Sequence, residues 1–158
     1  MPKSSPKSKT PARREFLMSQ LFDAFSWFDE SLQQSMQMAG VPALSRSQSM
    51  VMVYLGAGIR RPSVLARRMR VTRQAMHKTI ADLQEKGYVQ LVTDPDELRA
   101  KIVQLSPTGI QHHRKAIACL TALEKELDAR LGRRTIDGLS RALQADWGES
   151  PVQEGFSG

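Results

Sequence analysis

Only one cysteine, Cys119, occurs in 158 residues. An internal disulfide framework is therefore excluded, and so is a zinc site built from thiolates. Long apolar runs are also missing: nowhere do about 18 apolar residues follow one another, the length a membrane-spanning helix needs. No charged-then-apolar leader with a small-residue cleavage site opens the chain, so it reads as soluble, unexported and cytoplasmic, with no membrane partner. Aromatic residues are scarce at 6%, and Leu, Ala and Met carry the apolar load, which favours helix. The arrangements an enzyme would need are wanting too. There is no Ser-His-Asp set, metal cluster or pair of facing carboxylates, and "GAGIRR" at 56–61 lacks the third glycine of a dinucleotide fingerprint and follows no strand. The chain reads as a non-enzyme without cofactor or metal; His112 and His113 are adjacent, so they point apart and make a poor ligand pair.

The most informative absence is of negative charge. The net charge is +7, but residues 1–14 hold five of the 23 Lys/Arg and no acid, which leaves 18 basic against 16 acidic residues elsewhere. Within that remainder no Asp or Glu occurs between Glu30 and Asp82, whereas Arg46, Arg60, Arg61, Arg67, Arg68, Arg70, Arg73 and Lys78 all fall there. A solvated helix interleaves acids with bases, because opposite charges four residues apart support each other. Here the counter-charge is missing, as on a surface that meets a polyanion.

What is present supplies the scaffold. Residues 1–11 are Lys, Ser and Pro with little to bury, a disordered basic tail that serves as a solubilising segment or a basic arm. A long amphipathic helix is expected within 12–40, with Leu17, Leu21, Ala24, Phe28 and Leu32 at steps of four and three, ended by Gly40 and Pro42. At about 1.5 Å per residue it outruns one small domain, so a second chain is expected to cover the surplus. Ser45 with Gln48 forms a capping box before the second helix, Pro62 opens a third, Arg70-Val71 turns, and Thr72 caps a fourth that Gly87 ends. In the fourth, Met76, Ile80 and Leu83 form the inward stripe, and Gln74, His77 and Lys78 face away with Arg73 at the edge. That pair of helices about a tight turn is a helix-turn-helix. "YVQLV" and "KIVQL" around "TDPDELRA" form a hairpin behind it, a wing. Ser106 and Pro107 restart helix, striped by Ile117, Leu120, Leu123, Leu127 and Leu131; after Gly132 a last helix carries Ile136, Leu139, Leu143 and Trp147 on one side, before a flexible tail at 148–158. The fold class expected is mainly α with a small β-hairpin: a winged helix-turn-helix at 44–105, flanked by dimerisation helices at 12–40 and 106–147.

With "LSRSQ", "LARRMRVTRQAMHKTIADLQEKGYV", "DPDELRAK" and "LSPTG" in that order and spacing, the chain resembles the MarR family of bacterial transcriptional regulators over about residues 14–145. The resemblance implies a homodimer that binds pseudo-palindromic double-stranded DNA and is often released by a small aromatic or acidic effector. It places Arg73, Gln74, His77 and Lys78 in the major groove and Arg99, with Lys101, at the wing. Glu97 stands where the family usually has Asp to hold the wing arginine, Leu98 replaces a commonly basic residue, and Arg70 replaces a common turn glycine.

In chemical terms Gln74 can bond adenine bidentately and Arg73 guanine, while Arg67, Arg68, Arg70 and the helix start at Thr72 suit phosphates. The function expected is an effector-responsive repressor; the alternative is an architectural DNA-binding protein of low sequence specificity. Phe25, Phe28, Met50 and Tyr54 are candidates to line an effector pocket, against the plainer reading that such methionines and aromatics are core. Cys119, at the edge of a stripe, reads as core packing in preference to a redox sensor.

Overall fold

The computed structural model describes residues 16–150, so the tail at 1–11 and the end of the chain lie outside the described residues. The elements are α1 (Leu17–Met38), α2 (Arg46–Gly56), α3 (Pro62–Arg68), α4 (Arg73–Glu85), β1 (Val89–Thr93), β2 (Lys101–Leu105), α5 (Pro107–Leu131) and α6 (Arg133–Gln144). β1 and β2 are antiparallel, in register from Val89 opposite Leu105 to Thr93 opposite Lys101. The Val103 N–H also donates to the Arg60 carbonyl at 2.9 Å, which draws the α2–α3 loop against the hairpin. This is a mainly helical winged helix-turn-helix.

Local chemistry explains the element ends. Ser45 accepts from the Gln48 N–H while the Gln48 side chain accepts from the Ser45 N–H, a closed capping box. Thr72 accepts from the Ala75 N–H at 3.1 Å, and Ser106 accepts from the Gly109 N–H at 2.9 Å. α1, α2, α3 and α4 all finish in the same paired-bond motif, in which two successive N–H groups return to the last turn. The motif needs one residue in the left-handed region. Gly40, Gly58 and Gly87 supply it for three of the helices, and Arg70, at φ 52°, supplies it for α3. A side chain there costs about 1–2 kcal/mol relative to the right-handed conformation, so the helix-turn-helix carries its turn under strain.

Packing divides the chain. Leu65, Met76, Ile80, Leu83, Val51 and Val103 are fully buried, and they gather Leu44, Met52, Leu55, Ala66, Tyr88 and Val89 into one core inside the winged unit. Each such aliphatic side chain contributes about 1.5–3 kcal/mol by leaving water. Gly109 admits α5 to this core: a Cβ there would run into the Tyr88 carbonyl. A smaller cluster of Leu32, Met36 and Ala116, with Cys119 half-buried beside it, joins α1 to α5. The α1 stripe is buried only at its C-terminal end: Leu17 and Ala24 are exposed, Leu21 and Phe28 half-buried, and Leu32 buried. α6 buries no residue at all. Trp147, expected on the α6 face, lies beyond the helix, and its indole N–H donates to the Ala142 carbonyl at 2.8 Å. No helix among the described residues is long and apolar enough to cross a membrane.

Candidate nucleic-acid interface

The core dictates which side of α4 is offered to solvent. Met76, Ile80 and Leu83 are at most 1% exposed, so the helix is pinned by that edge. Arg73, Gln74, His77 and Lys78 consequently stand exposed. The Thr72 hydroxyl satisfies one of the free N–H groups at the helix start, and the rest point outward with the positive end of the helix dipole. Lys78 reaches Asp82 at 3.4 Å, but the lysine is largely solvated and the acid partly so, which makes the pair weak and easily exchanged for another anion.

Lys78 apart, the cations of the acid-free stretch separate into two groups. Arg46 is structural: it pairs with Asp29 at 3.0 Å, and its guanidinium lies 5.1 Å from the Phe25 ring centre, fastening α2 to α1. Arg61 is structural as well, 2.7 Å from Asp94 and 3.3 Å from Glu97. Arg60, Arg67, Arg68, Arg70 and Arg73 are exposed and make no ion pair among the described residues. Four of these five flank or begin α4, which concentrates uncompensated positive charge around its N-terminal half.

The wing corrects one expectation. Glu97 does not hold Arg99; it is engaged by Arg61, and Arg99 stands exposed at the wing tip without an ion pair among the described residues. The acid that organises the wing is Asp94, 3% exposed, which accepts from the Asp96 N–H at 3.0 Å and from Arg61. The Asp96 N–H chiefly, and Arg61 after it, hold the Asp94 carboxyl below its usual range against the opposing effect of burial. The sequence alone placed Asp94 only in the loop between the two strands. The signal that fits it is the Asp-Pro-Asp start of the loop, where an aspartate bonds the backbone two residues on. Lys101 is exposed on β2 and donates across the hairpin to the Thr93 hydroxyl at 3.0 Å.

The four candidate effector residues do not enclose one cavity. Phe28 lines an open cleft of about 500 Å³ between α1, α5 and α6, Phe25 sits beneath Arg46, and Tyr54 packs against the winged core. Met50 is half-buried on α2. Helical spacing put them on neighbouring surfaces without fixing which layer each one faces. No group of three or more His, Cys, Asp or Glu able to hold a metal occurs among the described residues.

Comparison with known proteins follows this geometry. Residues 44–100, the winged unit up to the wing tip, match the model of the MarR family. Apo MarR from E. coli superposes with a TM-score of 0.63 at 18% identity, covering 84% of this chain and 97% of that one. BldR from Sulfolobus solfataricus, a transcriptional regulator, gives 0.59 at 22% identity, with 80% and 91% covered. A variant of S. aureus MepR bound to an oligodeoxyribonucleotide gives 0.52 at 19% identity, with 82% and 94% covered. At these identities the likeness is one of fold. No curated protein sequence matches the chain significantly.

Proposed function

Given a winged helix-turn-helix that belongs to the MarR family, we propose that this protein is a homodimeric regulator of transcription that reads double-stranded DNA. The observation that carries this reading is the outer face of α4: Arg73, Gln74, His77 and Lys78 are exposed above a fully buried edge, within a stretch that has no acid before Asp82. In this reading α4 enters the major groove, where Gln74 bonds an adenine edge and Arg73 a guanine edge. His77 and Lys78 add donors. Arg67, Arg68, Arg70 and the Thr72 helix start hold phosphates and fix register. Arg99 and Lys101 reach the flanking backbone and minor groove from the wing, which Asp94 and Glu97 keep in place through Arg61.

Support for a second copy comes from the exposed apolar side chains of the terminal helices: Leu17 and Phe22 on α1, Leu131 on α5, Leu139 and Leu143 on α6. Pairing the helices outside the winged unit leaves both α4 faces free. A two-fold dimer then sets its two reading helices one helical turn apart, about 34 Å, on an inverted repeat. Bound across a promoter, such a dimer represses by occlusion.

Selection from a random duplex pool tests the reading. Enrichment of an inverted repeat whose half-sites lie about 10 base pairs apart is the expected result. Retention with no consensus and a steep salt dependence would instead fit an architectural protein that binds charge and shape.

A further inference from the structure

The wing ends in a four-residue turn. The Ala100 N–H donates to the Glu97 carbonyl at 2.8 Å, which leaves Leu98 and Arg99 as its two central residues. Behind them the loop is tied down. The Glu97 N–H donates to the Asp94 carbonyl at 3.2 Å, and the Asp94 N–H donates to the Ala100 carbonyl at 3.0 Å. Arg61 holds the Asp94 and Glu97 carboxylates from the other side. A tip braced in this way presents its side chains with little ordering left to do on binding. Those side chains are an exposed arginine and a leucine that is 82% exposed.

A lone exposed leucine on a protein surface is ordinary. The place of Leu98 is not, for it packs into neither core of the protomer and stands at the tip of the hairpin beside a cation. Charge sharpens the point. The acids of the wing, Asp94, Asp96 and Glu97, are matched by Arg61, Arg99 and Lys101, so the wing brings no net charge to a phosphate backbone. Lys101 is moreover engaged across the hairpin with the Thr93 hydroxyl. The uncompensated cations gather around α4 instead. A neutral wing that gains from a duplex gains from something other than charge, and the group at hand is Leu98.

We propose that Leu98 is an apolar wedge: with α4 in the major groove, the leucine enters the flanking minor groove beside Arg99 and opens one base step. The proposal rests on the DNA reading above and adds to it the residue that bends the duplex. Leucine has no donor or acceptor, so it reads no base edge. Its gain is the burial of its own apolar surface against sugars and parted base faces. Unstacking is least costly at pyrimidine–purine steps such as TA and CA/TG, which kink most readily. The operator flanks are therefore selected for such a step, although Leu98 forms no hydrogen bond there. Arg99, one position on, supplies the positive charge that the minor groove attracts.

The test uses the full chain and the duplex enriched from the random pool, made as a series in which one flanking adenine at a time is replaced by 2-aminopurine. The emission of that base rises when it unstacks. The parent is expected to raise it about threefold at one flanking step in each half-site and to leave the other flanking positions unchanged. Leu98→Ala, at an exposed position, should abolish the rise and weaken retention about tenfold, whereas Leu98→Met, still long and apolar, should keep both. A parent that holds the duplex with no rise at any flanking step overturns the proposal. So does a rise that Leu98→Ala leaves intact. A parent that retains no duplex at all is a different failure: it overturns the DNA reading, and the wedge falls with it.

Discussion

Between Val51 and Val103 lie the six largest fully buried side chains among the described residues, whereas α6 buries none and the first turns of α1 leave Leu17, Met18 and Phe22 in water. Both regions carry apolar stripes at helical spacing. In the winged unit the stripes of α2, α3 and α4 face one another and the hairpin closes them over, so the protomer completes its own core. In the terminal helices the stripes are as regular, yet within one chain little covers them. Periodicity states that a helix has an apolar side; only the assembly states what that side meets. The winged unit is finished as a protomer; in the proposed dimer a second copy finishes the terminal helices.

The largest expected effect breaks the complete region. Leu83→Ala should cost about 2–5 kcal/mol in urea unfolding, because the cavity lies where no neighbour can collapse. A loss below about 1 kcal/mol would deny that α4 is pinned by this edge. Next, Leu139→Ala with Leu143→Ala removes side chains that are half exposed in the protomer. The double variant should weaken self-association by about 3 kcal/mol, read by sedimentation equilibrium, with far less loss in protomer stability than Leu83→Ala. An unchanged dimer constant would mean that a second copy does not cover α6.

Smaller effects sharpen the contrast inside the winged unit. Arg70→Gly relieves a left-handed arginine and should raise stability by about 0.5–1 kcal/mol net of the greater freedom of glycine in the unfolded chain. The same change should weaken DNA retention if Arg70 holds a phosphate. The smallest effect concerns the wing. The Asp94 carboxyl lies below its ordinary value of 3.8 in the folded protein, so its contribution is present above that value and is lost as pH falls through the lower, folded one. Urea unfolding from about pH 4 downwards should therefore show a flatter acid limb in Asp94→Asn than in the parent. Parallel acid limbs would show that Asp94 does not hold the wing.

How much of this was legible in the sequence follows the range of each interaction. Ser45 with Gln48, Thr72 before α4 and Ser106 before α5 act within three residues, and sequence order alone exposed them. The inward edge of α4 was legible too, because Met76, Ile80 and Leu83 admit one helical face. The partners of Arg61 were not: Asp94 and Glu97 lie more than 30 positions away, brought near by the hairpin and the α2–α3 loop. Glu97 was assigned to Arg99 because it stands where the resembled family has the acid that holds the wing arginine, and that position carried no information about the direction this side chain takes. Phe25, Phe28, Met50 and Tyr54 lie on different surfaces of the protomer for a related reason, since helical spacing groups residues by face and is silent on depth. His112 was read only as half of a poor ligand pair with His113; its burial and unpartnered nitrogen exist only in three dimensions.

The central claim is that the exposed face of α4, with Arg99 on the wing, reads a duplex. Its most direct test measures the affinity of the parent, Gln74→Ala and Arg99→Ala for the selected duplex at one salt concentration. Each substitution should cost about 1–3 kcal/mol, and Gln74→Ala should also lose discrimination at a single base position in each half-site. Affinities and base preferences identical to those of the parent in both variants would contradict the account.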